Sequence, residues 1–478
     1  MKEFAITLET ETKTPLYEQI YEAIRDAILT GRIPQGEKLP STRFEADYLQ
    51  VSRSTVELAY GQLLSEGYIQ SEPYRGYFAC DVRDLYHLTD VMKNDVAPKK
   101  QAGKRKAGYD VDFSPNGIEL KQFPFGPMSR IMKNLLLDEG EKVLQSSLPF
   151  GDENFRQVIC DYLYRSRNVC CMPEQIVVGA GNEYLQILLY QLLGGEHRVA
   201  MESPTYLRAY RTFRSLGSRV EEVELDQDGM RVDVLAETEA DIAYVMPSHQ
   251  FPLGIVMPMK RRLELLNWAS QKPGRYIIED DYDSEFRYKG KPIPALQGMD
   301  RSGCVIYLGT FSKSIAPSVR VSYMVLPMHL LERYEERCGF YACTVPNVMQ
   351  QTIYQFMKEG YFEKNLNRMR GIYKAKHDFL LNELKNCSWV KKIMGENSGL
   401  HLLVEVKSSL SEAEIIERCK KAGIRIYGIS EYFISKKPTF ERPGFLIGYG
   451  ELTEEQMIHG IRKIGEILES DGNFSIIR

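Results

Sequence analysis

The chain has 478 residues, room for about three domain-sized units, and a net charge of −4 with histidine neutral, which excludes a protein that is polycationic throughout. Nothing apolar runs long enough to span a bilayer, and the start MKEFAITLETETKTPLYEQ lacks the basic and apolar runs of a secretory signal. The 9 cysteines are scattered without a CxxC pair, as expected of reduced thiols in a cytoplasmic protein, and the 7 histidines show no metal-ligand spacing, so no metal is expected.

In chain order, Thr14-Pro15 predicts a helix start, with a capping hydroxyl and then proline at the first helical position. Leu16, Ile20, Ile24 and Ile28 recur every four residues and give one apolar face, which Gly31 ends. A second helix is expected over Thr42–Leu49. Val51-Ser52 then forms a tight turn, and Ser52 caps a third helix that buries Val56, Ala59, Tyr60, Leu63 and Leu64 before Gly67 stops it. Ile69 begins a strand, and Tyr74-Arg75-Gly76-Tyr77-Phe78 is the expected tip and return of a β-wing. Residues 1–80 therefore read as a winged helix-turn-helix.

The apolar side of the third helix is committed to the core, so Arg53, Ser54 and Thr55 are expected exposed at its first turn. Helix-turn-helix proteins insert that turn into the major groove. There arginine can make two hydrogen bonds to guanine, and serine or threonine can reach base edges or phosphate. Arg43 is placed for a phosphate, and Ser41 and Arg75 complete the expected DNA-binding set. The alternative is a module for protein contacts: residues 1–80 hold 8 basic and 12 acidic side chains, a poor electrostatic footprint for DNA. Weak intrinsic affinity raised by dimerisation fits that charge.

Residues 81–109 read as a basic flexible linker. Its core, KNDVAPKKQAGKRKAG, sets six basic residues against Asp95 alone. It is a solvated tether, or one that also brushes phosphates.

From residue 110 to 478 helical stretches alternate with β-branched runs at Gln175–Val178, Arg198–Met201, Ile242–Met246, Tyr276–Glu279 and Val305–Leu308. That alternation predicts an α/β body with a mostly parallel sheet, whose ligands bind at the carboxyl ends of strands. The chemical residues fall at those ends. Lys313 follows a buried strand, where desolvation can free its amine to form an imine. Asp280 ends RYIIED and can hold a protonated pyridine nitrogen. Tyr282 can donate to a phenolic oxygen. Thr310, Ser312 and Arg320 suit a phosphate, as do the backbone N–H groups of Gly181 and Asn182 before a helix. Tyr206 can stack on the ring.

Two resemblances join these pieces. Leu39-Pro40-Ser41-Thr42-Arg43, Val51-Ser52-Arg53-Ser54-Thr55-Val56 and Glu66-Gly67-Tyr68-Ile69 resemble the winged helix of GntR-type bacterial regulators, with Tyr74 in place of the usual first wing glycine. Glu279–Tyr288 (EDDYDSEFRY), Gly290–Gln297, Gly309–Lys313 (GTFSK), Pro317–Arg320 and Pro247–Gly254 (PSHQFPLG) resemble the body of MocR-type regulators, a fold-type I aminotransferase-like domain with a smaller C-terminal lobe. Ordinary aminotransferases carry Asn-Pro-x-Gly where this chain has Phe251-Pro252, so sensing is expected over turnover. The resemblance implies pyridoxal 5'-phosphate on Lys313, a homodimer, double-stranded operator DNA, and a small amine or amino-acid effector exchanged at the imine. Arg208 and Arg442 are the candidates for the effector's carboxylate, with Arg425 behind them. The family's GABA sensor carries an arginine near Ile429–Tyr432. This chain has Ser430 and Glu431 there, so GABA itself is not carried over. Two other readings stay open: a working aminotransferase with an accessory DNA domain, and a regulator that responds to pyridoxal phosphate itself.

Overall fold

Ile20, Ile24 and Ile28 lie on one face of helix α1 (Leu16–Leu29) and are all but inaccessible to solvent. Each such side chain contributes about 1.5–3 kcal/mol over its exposed form. Pro15, not Thr14, takes the capping position, and no side chain caps the helix. Instead Gln19 reaches back, donating to the carbonyls of Thr14 and Glu9 and accepting from the Glu9 N–H. Gly31 follows the helix at φ 73°, as its placement after the last apolar residue requires.

Helix α2 spans Thr42–Leu49, and helix α3 spans Arg53–Ser65. Ser41 and Ser52 cap them, accepting from the N–H groups of Phe44 and Thr55. Strands β1 (Ile69–Glu72) and β2 (Gly76–Ala79) pair antiparallel as the wing, with Glu72 opposite Gly76. Tyr74 at its tip is fully exposed and sits at φ 59°. It holds a left-handed conformation that glycine adopts without strain and a side chain does not. Val56, Ala59, Tyr60 and Leu63 are buried against α1, while Leu64 is half-buried.

The computed structural model describes residues 6–9, 14–81, 108–195, 197–290, 293–435 and 443–469. They fall in two compact units, Met1–Lys106 and Ala107–Arg478. Most of the segment expected as a linker, and Arg442, lie outside the described residues.

The second unit is built on an eight-stranded sheet. In chain order its strands are β3 (Ile176–Gly179), β4 (Arg198–Ser203), β5 (Arg219–Asp226), β6 (Gly229–Met230), β7 (Ile242–Val245), β8 (Tyr276–Asp281), β9 (Val305–Thr310) and β10 (Ser322–Val325). Across the sheet the order is β3-β10-β9-β8-β7-β4-β5-β6. The run β9-β8-β7-β4-β5 is parallel, and β10, β3 and β6 join antiparallel. The central strands are buried at every residue of Ile242–Val245 and Tyr276–Asp281, as a sheet covered on both faces demands. Helix α4 (Asn182–Leu193) follows β3, and helix α5 (Leu207–Ser215) follows β4. A four-stranded antiparallel sheet, including β11 (His401–Val406), forms the smaller C-terminal lobe.

Candidate functional site

Lys313 lies three residues beyond β9, in a turn held by the Phe311 N–H on the Val321 carbonyl and the Ile315 N–H on the Phe311 carbonyl. Its Nζ donates to the Pro115 carbonyl at 3.4 Å. Burial lowers its pKa to about 8, against the opposing pull of Asp283 and Glu451. A free amine is therefore more populated at neutral pH than on an exposed lysine.

Asp280 and Asp281 close β8 side by side and do different things. Asp281 pairs with Arg167 at 2.8 Å, both nearly inaccessible, and accepts from Tyr307 at 2.7 Å. That pair ties the sheet to the helix Glu153–Arg167. Asp280 faces the cavity. It accepts from Asn182 Nδ2 at 3.1 Å and from the Tyr244 hydroxyl. Burial raises its pKa to about 7, and the groups that lower it are those two neutral donors. A cationic ring nitrogen is what such a carboxyl lacks.

At the N-terminus of α4, Gly181 sits at φ 100°. A Cβ there would stand 2.1 Å from Arg320 Nη2 and would push the guanidinium aside. Arg320 donates to the Ala180 carbonyl at 3.2 Å and to Glu183 at 3.0 Å. Arg208 reaches the other Glu183 oxygen at 3.1 Å. Burial would raise the Glu183 pKa, but hydrogen bonds from its own backbone, Arg208 and Arg320 hold it below the usual value. Two arginines over a helix N-terminus make an anion cradle. Thr310 lies next to it, donating to Ser312 Oγ at 3.0 Å and accepting from Ser322 Oγ at 2.9 Å.

The nine residues expected to hold the cofactor, with Arg208, line one cavity of about 250 Å³. Tyr206 meets Phe251 edge-on there at 5.8 Å, and Phe251 is buried. Asn182 Oδ1 is buried without a hydrogen-bond partner among the described residues. The uncompensated Asp280, the glycine-floored cradle and the desolvated Lys313 together fit a phosphorylated pyridine aldehyde. Sequence reasoning missed His401, Asn116 and Pro115, which line the same cavity from distant parts of the chain.

On the winged helix, Arg43, Arg53, Ser54 and Arg75 are exposed, and Thr55, expected exposed, is half-buried. The Ser54 and Thr55 hydroxyls lie 2.8 and 2.7 Å from Ser52 Oγ, so they serve the cap. Arg53 Nε pairs with Glu57 at 2.8 Å. Arg75 pairs with Glu72 and lies over the Phe78 ring at 5.3 Å. Ser41 is exposed and engaged as the cap of α2.

Residues 120–463 match the aminotransferase class I and II family, and residues 16–78 match the gntR family of bacterial regulatory proteins. The HTH-type transcriptional regulator YdeL of Bacillus subtilis is 38% identical over 94% of this chain and 96% of its own length. The probable rhizopine catabolism regulatory protein MocR of Rhizobium meliloti is 30% identical over 99% of this chain and 98% of its own. Among solved structures, an archaeal alanine:glyoxylate aminotransferase superposes with a TM-score of 0.69. It covers 80% of this chain and 95% of that one at 24% identity, a likeness of fold.

Proposed function

Because the chain belongs to the MocR-type transcriptional regulators, a GntR winged helix followed by an aminotransferase-like body, we propose that it binds pyridoxal 5'-phosphate on Lys313 and reports a small amine or amino acid to operator DNA. The observation that carries this is the pairing, in one cavity, of a desolvated Lys313 with an Asp280 carboxyl whose hydrogen-bond donors are both neutral and whose charged neighbours, Asp281 and Asp283, are anionic. When bound, the cofactor supplies an aldehyde that condenses with primary amines and a ring that accepts electrons.

The chain's own residues do the rest. Lys313 offers the amine that an effector's amine replaces. Asp280 holds the ring nitrogen as a cation, with Tyr244 and Asn182 orienting its two oxygens. Arg320, Thr310, Ser312 and the backbone of Gly181 and Asn182 take the phosphate. Tyr206 covers the ring face, and Tyr282 donates to the ring's phenolic oxygen. Arg208, its side chain 61% exposed and paired with Glu183, would exchange that partner for an incoming carboxylate. Phe251 fills its place without offering a hydrogen bond, which favours holding an adduct over converting it. Arg43, Arg53 and Arg75, with the exposed cap residues Ser41 and Ser54, form the DNA face, Thr55 being turned to the cap, and the working unit is a cytoplasmic homodimer. No helix among the described residues is long and apolar enough to cross a membrane.

The test joins spectroscopy to DNA binding. The purified protein should show a visible band and a borohydride-reducible linkage that maps to Lys313, and Lys313→Ala should lose both. A panel of amines and amino acids should include one that changes both the band and operator affinity. An unchanged reducible linkage in Lys313→Ala would place the cofactor elsewhere.

A further inference from the structure

Beside the residues assigned to the cofactor stands a buried cluster outside that set: His249, Asp283 and His401. The His249 and Asp283 side chains are 1% and 3% exposed. His249 Nδ1 lies 2.9 and 3.1 Å from the two carboxylate oxygens of Asp283, and 3.0 Å from the Tyr282 hydroxyl. A carboxylate has only lone pairs to offer, so the hydrogen between it and the ring belongs to Nδ1. That single hydrogen is shared, held mainly by the Asp283 carboxylate and within reach of the Tyr282 oxygen. The phenol keeps its own hydrogen for another acceptor, and Tyr282 lines the cavity. Burial first, then the nearby carboxylates led by Asp283, raise the Tyr282 pKa well above the usual value, so that hydrogen is retained.

The imidazole is fixed from its other sides. The Tyr282 ring stacks on it at 5.9 Å. Gly399, at φ 85°, lies so close that a Cβ would stand 2.0 Å from His249 Cε1. His401, on β11, has its ring 5.5 Å away and its Nε2 3.2 Å from the Pro252 carbonyl, to which it donates. Burial first, then the proximity of His249 and Lys313, lower the His401 pKa to about 3, so His401 adds no charge to the cluster. The charged groups facing the cluster are Asp283 itself, Asp280 and Asp281 from β8, Glu202 from β4, and Lys313 from the turn after β9, which itself feels Asp283 and Glu451.

We propose that His249, held by Asp283, is a positioning residue for the Tyr282 hydroxyl. It engages the phenol oxygen as acceptor and so commits the phenol hydrogen to the cavity, where it goes to the anionic oxygen of the cofactor ring. The proposal rests on the cofactor assignment above. A hydrogen bond to that oxygen withdraws its charge and lowers the proton affinity of the nitrogen joining the cofactor to Lys313.

A pH titration of the holo-protein's visible band reads that affinity. His249→Leu removes the donor at similar volume, and Tyr282→Phe removes the hydroxyl. Each should raise the band's midpoint by about one unit. The double variant should go no higher than Tyr282→Phe alone, because both changes remove one interaction. His249→Asn, whose amide N–H can stand near the Nδ1 position, should recover most of the parent midpoint. Additive shifts in the double variant overturn the proposal. So does an unmoved midpoint in His249→Leu beside a moved one in Tyr282→Phe. In cofactor-free protein, proton NMR should show a downfield imidazole N–H resonance in the parent and in Tyr282→Phe, lost in His249→Leu. A parent without that resonance overturns the His249–Asp283 pairing. A parent with the resonance but no visible band strikes the cofactor assignment, and the positioning role of His249 with it, while the pair itself stands.

Discussion

Asp280 carries the clearest signature in its own titration. Its carboxyl is raised to about 7 by burial, so between about pH 4 and 7 the folded chain binds a proton there that the unfolded chain has released. Without cofactor, this group makes stability fall as pH rises through that window. Asp280→Asn removes the slope. In cofactor-free protein the variant should melt above the parent at pH 8, and the difference should shrink toward pH 4. With cofactor the order should reverse at pH 8, because only the parent gives the ring nitrogen a counter-charge. Calorimetry over that range, with and without pyridoxal phosphate, checks both halves. A parent that stays below the variant at pH 8 after loading would remove Asp280 from the ring nitrogen.

At the scale of elements, helix α3 presents Arg53 already engaged by Glu57, one turn along the same face. The pair is exposed and worth little by itself. On DNA the arginine must leave the carboxylate, and the carboxylate must approach phosphates. Arg53→Ala should weaken specific binding by about 1–3 kcal/mol if it reads a guanine, with the cofactor band unaltered. Glu57→Gln should strengthen binding to specific and random DNA alike. Fluorescence anisotropy on both DNAs separates the cases, and equal losses for Arg53→Ala on the two would mean a phosphate contact only.

The same helix shows what a sequence makes legible. Its serine cap and its buried face follow from local spacing, and the structure agrees except at Leu64, which is half-buried. The strand ends that carry Asp280 and Lys313 are legible for a similar reason: apolar β-branched runs stop where the polar chemistry begins. Thr14 is not, because a capping hydroxyl competes with whatever else reaches the helix start, here Gln19 from the next turn. Thr55 fails because its hydroxyl turns inward to Ser52. His249 stands in the PSHQFPLG motif, but its meeting with His401 is not legible. They lie 152 residues apart in the sequence, and their meeting depends on how the smaller lobe packs on the sheet.

For the molecule as a whole, the winged helix and the aminotransferase-like body are separate compact units, and thermodynamic linkage would couple operator to effector. An effector that changes operator affinity must have its own affinity changed by operator to the same degree, typically 5–150-fold, or about 1–3 kcal/mol. Titrating the effector with and without operator DNA should return that factor from either direction. The signal also requires that the adduct persist. Steady-state conversion of the same compound at enzyme-like rates, about 1–1000 per second, with operator affinity indifferent to it, would mark the body as a working transferase.

The anion cradle carries a consequence for timing. Arg208 and Arg320 share a single carboxylate, Glu183, which holds both guanidiniums at the helix start. The Arg320 guanidinium is already in place when a phosphate arrives, so capture needs only its exchange from Glu183 and can approach the electrostatically steered regime. The same carboxylate competes with the phosphate for Arg320, which hastens departure. Rapid arrival with rapid departure lets the loaded fraction follow the supply of cofactor. Glu183→Gln should therefore slow release, seen in stopped-flow decay of the phosphate-anchored, non-covalent complex of Lys313→Ala, and make it more sensitive to salt. Release at the parental rate would mean that Glu183 only braces the arginines.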